Sequence, residues 1–121
     1  MNIFMVAALS TISLLDAPSQ EVPSKLLDDA KAIVFSSCLQ NKGRSISECD
    51  CYGKGLESNL DKSEYHFFME ALYYSNNRDK LGFDKVMVKY GKKLEDLDNM
   101  SIKIADIGPK IEEQCKIDSS E

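Results

Sequence analysis

Residues 47–69, SECDCYGKGLESNLDKSEYHFFM, decide the fold, because they hold two helix starts and a closely spaced cysteine pair. Residues 47–50 fit the capping-box pattern, in which a hydroxyl is followed three residues later by a carboxylate. Residues 61–64 repeat this pattern with two carboxylates. We therefore expect one helix to start at Ser47 and the next at Asp61.

Two glycines, Gly53 and Gly55, lie inside the first of these helices. Each weakens a helix by about 1 kcal/mol relative to alanine. They are explained if another helix packs very close to this one; the alternative is that this helix is short and frayed.

The segments on either side also have helical periodicity. An apolar stripe predicts a helix from Ser24 to the glycine at position 43. The helix from Asp61 also has an apolar face, and the polar cluster 75–79 predicts its end. The members of that buried face are Tyr65, Phe68, Met69, Leu72 and Tyr73.

From Phe83 to Cys115 one apolar stripe continues without interruption. An unbroken helix of that length would reach about 50 Å, whereas a domain of this size has a radius of gyration of about 13 Å. We therefore expect a break near Gly91 or within residues 96–101, and Pro109 either kinks the last helix or starts a final one. The predicted fold class is all-α: a compact, mostly antiparallel bundle of four to five helices.

The four cysteines are Cys38, Cys49, Cys51 and Cys115, and in an exported chain of this size they favour two disulfides. A bond between Cys49 and Cys51 would strain the helix start. One of them is therefore expected to bond Cys38 and the other Cys115, which links the second helix to the first and to the last. Because Cys49 lies on the apolar face of its helix, we favour Cys49–Cys115 with Cys38–Cys51; the reverse pairing stays open.

Residues 1–19 are predicted to be a cleaved signal peptide, which makes residues 20–121 a single domain. The apolar run 3–15 would reach about 20 Å as a helix, short of the ~30 Å hydrocarbon core of a bilayer. Ala17 and Ser19 fit the small-x-small rule for cleavage after Ser19. The alternative is that this run forms an apolar first helix of the fold.

The net charge of -5 argues against a nucleic-acid partner, which needs a clustered basic surface. The sequence has no nucleophile elbow, phosphate loop or calcium-loop spacing, so we expect no catalytic residue, metal or cofactor. His66, the only histidine, is expected at the surface or its boundary. A pocket that joins it to a carboxylate would favour a small hydrolase or toxin instead.

Aromatic side chains cover more than one face of the helix from Asp61, which indicates a central, buried helix. If Phe67 and Tyr74 are exposed instead, they would form a surface for binding another protein.

The chain resembles small exported bacterial proteins with four cysteines and a helical fold, mostly of unknown function. The resemblance is carried by Cys38, residues 47–51 with their two cysteines, the run 60–65 and the late Cys115. The run 51–55, CYGKG, also resembles the cysteine-tyrosine-glycine region of periplasmic immunity proteins that neutralise type VI secretion toxins. This resemblance implies a periplasmic or secreted location.

The leading hypothesis is a non-enzymatic, exported, disulfide-linked helical domain that binds a protein or peptide partner. One alternative is a thiol-based metal-binding or redox protein that uses Cys49 and Cys51. The other is a periplasmic immunity or inhibitor protein.

Overall fold

The computed structural model describes residues 22–42 and 44–119, and these form five α-helices and no strand. The helices are α1 (Ser24–Lys42), α2 (Ile46–Asn59), α3 (Lys62–Asn76), α4 (Lys80–Lys89) and α5 (Leu94–Ser119). The predicted all-α bundle with two disulfides is confirmed. None of these helices is both long and apolar enough to cross a bilayer. The predicted signal peptide lies outside the described residues.

Capping boxes begin α2 and α3. The N-cap of α2 is Ser45 and not the predicted Ser47, because the Glu48 N–H donates to Ser45 Oγ (3.1 Å) while the Ser45 N–H donates to Glu48 Oε1 (2.9 Å). A glutamate reaches back three residues to the N-cap, so Glu48 selects Ser45. The box predicted at Asp61 is confirmed, with Glu64 as its N3 residue.

The predicted break in the long apolar stripe lies between α4 and α5. Gly91 has a φ of 63°, which is a left-handed conformation that favours glycine. The Gly91 N–H donates to the Val88 carbonyl (3.0 Å), which closes the turn after α4. Pro109 lies inside α5, so no separate final helix begins there.

The core has two clusters, and α3 contributes to both. Helix α1 packs against α2 and α3, α2 packs against α5, and α4 packs against α3. Tyr65 and Met69 are buried as predicted, while Phe68, Leu72 and Tyr73 are only half-buried. The first cluster consists of Ala30, Leu56, Leu60, Tyr65, Met69, Ile111 and Cys115, and the second of Phe67, Ala71, Val86 and Met87.

The two disulfides join α2 to its neighbours on opposite sides. Cys38–Cys49 links α1 to α2, and Cys51–Cys115 links α2 to α5. The favoured pairing of Cys49 with Cys115 and Cys38 with Cys51 is therefore wrong. The reason is that α2 buries apolar residues on both sides, so lying on an apolar face did not identify the neighbour of Cys49.

A buried carboxylate joins α4 to α3. Glu70 is only 4% exposed, and its Oε2 accepts hydrogen bonds from Lys89 Nζ (2.8 Å) and Tyr90 Oη (2.6 Å). Burial, this hydrogen bond and the charge of Glu70 all raise the pKa of Tyr90. The phenol therefore stays protonated and keeps donating to Glu70.

Candidate binding groove

A groove of about 460 Å³ lies between α1 and α2, with α3 below it. Its volume falls within the range of roughly 300–1,000 Å³ that is usual for ligand sites. The floor is apolar and consists mainly of buried or half-buried side chains from all three helices: Val34, Cys49, Leu56, Tyr65 and Met69. Four of these five side chains are only 1–4% exposed and Val34 is half-buried, so the groove leaves only a small apolar area open at its floor.

Charged side chains border this floor. On α2, Lys54 Nζ and Asp50 Oδ2 form an ion pair at 3.2 Å. Asp28 on α1 and Glu57 on α2 also line the groove, and neither has an ion-pair partner among residues 22–42 and 44–119. Lys31 on α1 adds one positive charge.

The two unpaired carboxylates lie toward the same end of the groove. Only three residues separate α1 from α2, and Cys38–Cys49 joins the late part of α1 to the first turns of α2. The two helices therefore run antiparallel. Asp28, early in α1, and Glu57, late in α2, are consequently at the end remote from this disulfide, which we call the acidic end.

The two glycines of α2 have different surroundings. A Cβ added to Gly55 would overlap Ile111 Cγ2 of α5, so the close helix packing expected from the sequence is found there. A Cβ added to Gly53 would meet no atom within 4 Å, and Gly53 lines the groove. The expected close contact is therefore absent at Gly53 among the described residues, and its missing side chain keeps the groove open.

Tyr65 supplies a phenol to the groove floor. Its side chain is largely buried, and burial together with the charge of Glu57 raises its pKa to about 12. The phenol is therefore uncharged at neutral pH and can donate one hydrogen bond.

The aromatic pair predicted for partner binding is not an exposed surface. Phe67 is 1% exposed and packs against Tyr90, with ring centroids 5.6 Å apart. Tyr74 is half-buried, and its ring fills the space beside Gly82. The prediction is wrong for Phe67 because α4 covers that face of α3.

His66 is half-buried beside Tyr65, as expected for a boundary residue. Burial and the charge of Lys62 lower its pKa, against the opposing effects of Glu70 and Glu57. His66 does not line the groove. A pocket that holds His66 with a carboxylate is not found at this groove.

All four cysteines are disulfide-bonded, and Cys49 and Cys51 are bonded to different helices. The C-x-C pair therefore does not present two thiols at one site. Within the described part of the chain, no three histidine, cysteine or carboxylate side chains come together as a potential metal site.

A second cavity, of about 230 Å³, lies on the far side of Val34 and Leu56, toward α5. Arg44 and Glu112 form an ion pair at its edge (Nη2–Oε1 3.1 Å). Arg44 Nε is buried and has no hydrogen-bond partner in the described structure. The first groove is the larger of these two cavities.

The groove could not be identified from the sequence. Its floor residues come from three helices, and their meeting depends on how those helices pack. The one sequence signal was Gly53, a residue that weakens the helix and has no partner inside the bundle.

Comparison of the chain with protein-family models, curated proteins and solved structures gives no match.

Proposed function

We propose that this protein is an exported, non-enzymatic helical domain that binds a segment of a partner protein in the groove between α1 and α2. The observation that carries the proposal is the open, apolar floor beside Gly53. Covering apolar surface contributes roughly 25 cal/mol per Å², and a partner side chain that enters the groove would supply this energy.

The charges at the groove support binding over catalysis. Tyr65 stays neutral because its pKa is about 12, and Asp50 is paired with Lys54. General acid–base catalysis works best with a group whose pKa lies near the working pH. Histidine is the side chain whose ordinary pKa lies nearest to neutral pH, but His66 does not line the groove.

Export is supported by the two disulfides, which are compatible with an oxidising location. Together with the signal peptide predicted at residues 1–19, they favour the bacterial periplasm or the medium. A thiol-based metal or redox function would first require reduction of Cys38–Cys49 or Cys51–Cys115.

The test uses the protein as exported by an oxidising host. Its intact mass is expected to lack about 19 residues and to be four hydrogens lighter than the reduced form. Retention of residues 1–19 or four reactive thiols would overturn the exported, disulfide-linked part of the proposal.

Binding is tested with Gly53→Leu and Gly53→Ala. Partners captured by the wild-type protein from the envelope of the producing cells are purified and titrated against each variant. A Cβ at this position meets no described atom within 4 Å, and the longer leucine side chain is expected to occupy groove space, so we expect at least a tenfold loss of affinity, about 1.4 kcal/mol. Alanine, the matched control, raises helix propensity equally but fills little of the groove, and is expected to bind within about threefold of wild type.

Both variants are expected to unfold at or above the wild-type temperature, since each replaces a glycine inside a helix. A partner that binds wild type and Gly53→Leu with equal affinity would show that the groove is not the binding site.

A further inference from the structure

We infer that the segment held in this groove is an amphipathic α-helix with a basic residue at the end that meets Asp28 and Glu57. The inference rests on the proposed function and specifies the kind of partner that the site takes.

Backbone hydrogen bonds favour a helical segment over an extended one in this groove. The groove walls are the middle turns of α1 and α2, whose N–H and C=O groups are already paired within each helix. The described residues contain no strand edge to which an extended peptide could add. An extended segment on this apolar floor would therefore leave some backbone groups unpaired, at about 1–3 kcal/mol each. A helix pairs its own.

The space beside Gly53 allows a helix to approach closely. Helices pack with their axes about 8–10 Å apart, and small side chains allow the shorter separations. Gly53 lies on the wall of the groove, and no atom of the described residues is within 4 Å of its Cβ position. At Gly55, two residues later, the side chain of Ile111 from α5 occupies the space that a Cβ would take. Gly53 offers the same close approach to a helix from outside the bundle.

The charges at the groove favour a basic residue on the bound helix. Asp28 and Glu57 lie at the acidic end and have no ion-pair partner among the described residues, whereas Asp50 is paired with Lys54. Lys31, one turn after Asp28 on α1, is the one other described basic residue that lines the groove, so the two carboxylates outnumber it at this end. A lysine or arginine on the bound helix would meet two carboxylates at this end. Such pairs fix orientation and partner choice more than they add affinity.

The test uses two displayed libraries of peptides of about 18 residues, or five helical turns, with identical composition. One has apolar residues at helical spacing and the other alternates apolar and polar residues as a strand does. Both are selected on the oxidised wild-type protein, and the binders are titrated against wild type, Gly53→Leu, Gly53→Ala and the double variant Asp28→Asn/Glu57→Gln.

We expect the helical library to be enriched, with lysine or arginine concentrated at one peptide end. Its binders should gain helical circular dichroism on binding and bind at least tenfold more weakly to Gly53→Leu than to Gly53→Ala. The helical binders should bind roughly three- to tenfold more weakly to the double variant than to the wild type. On the double variant, peptides with a basic end should no longer bind more tightly than versions in which glutamate replaces the basic residue. The loss of affinity on the double variant should shrink as salt is raised.

Preferential enrichment of the alternating library, or enrichment of neither library, would overturn the inference of a helical ligand. The proposed function would still stand in that case if a natural partner were captured in a way that depends on Gly53. A concentration-dependent dimer of the wild-type protein that Gly53→Leu dissociates would also overturn the inference, because a second copy would then be the occupant. Binding of every peptide and every captured partner independently of Gly53 would instead contradict the proposed function.

Discussion

The two sides of α2 carry similar residues, but one side is closed by packing and the other is open. On the side toward α5, Cys51 is bonded to Cys115 and Gly55 accommodates Ile111, so the surfaces are closed against each other. On the side toward α1, Cys49 is bonded to Cys38, but Gly53 opens onto the groove. A glycine that weakens a helix is explained by internal packing at position 55. At position 53 the bundle gives no such explanation, which points to a contact from outside.

The largest expected effect on each side of α2 is the loss of its disulfide. Cys51–Cys115 spans 64 residues and Cys38–Cys49 spans 11. By the loop-entropy relation, replacing the first pair with serine should lower the free energy of unfolding by about 4 kcal/mol, and replacing the second by about 3 kcal/mol. Urea unfolding of each double-serine variant measures both values. If the short loop proved the more stabilising, closure entropy would not be the main difference.

Next in size is the effect of a methyl group at each glycine. Gly55→Ala should lower the free energy of unfolding by about 1–3 kcal/mol, because its Cβ overlaps Ile111. The matched variant Gly53→Ala should raise it by up to about 1 kcal/mol, since only helix propensity changes there. Denaturant unfolding of the two variants gives a direct comparison.

A double-mutant cycle locates the cause of the Gly55 effect. Ile111→Ala should cost less in the Gly55→Ala background than in the wild type, since it removes the overlapping methyl groups. Additive costs would mean that Gly55→Ala acts elsewhere.

At neutral pH the smallest expected effect is that of the Tyr65 phenol on the groove side, which appears only as a change in pH dependence at high pH. The pKa of Tyr65 is raised from 10.0 to about 12 in the folded protein, so the unfolded chain loses this proton first as pH rises. The stabilisation that the raised pKa of Tyr65 adds to the folded protein is present below pH 10 and is lost between about pH 10 and 12. Tyr65→Phe should make the free energy of unfolding fall less steeply over that range. An unchanged slope, or a tyrosinate absorbance titration with no tyrosine near 12, would contradict the assignment.

Local features of the sequence predicted local features of the structure. The capping pair Asp61 and Glu64 begins α3 as expected, and the break at Gly91 lies where the length of the apolar stripe required one. Ser47 was the wrong N-cap because a second serine, Ser45, lies two residues earlier and has a glutamate, Glu48, at the spacing that completes a capping box. These features depend on interactions within about one helical turn.

Features that depend on helix packing were predicted less well. Phe67 was considered for an exposed surface, but it lies beneath α4 with Tyr90 against its ring. The disulfide partners were exchanged because both Cys49 and Cys51 lie on sides of α2 that face another helix. Hydrophobic periodicity shows that a face is buried, but not which helix buries it.

The sequence by itself determined the helical class, most helix limits, and the linkage of α2 to the first and last helices through four cysteines. These follow from capping, periodicity and cysteine number, which are local or additive properties. Only the tertiary structure decided which cysteine faces which neighbour, that Ile111 fills the space at Gly55, and that the space at Gly53 stays open above an apolar floor. These depend on how helices distant in sequence are placed, and no single segment encodes that placement.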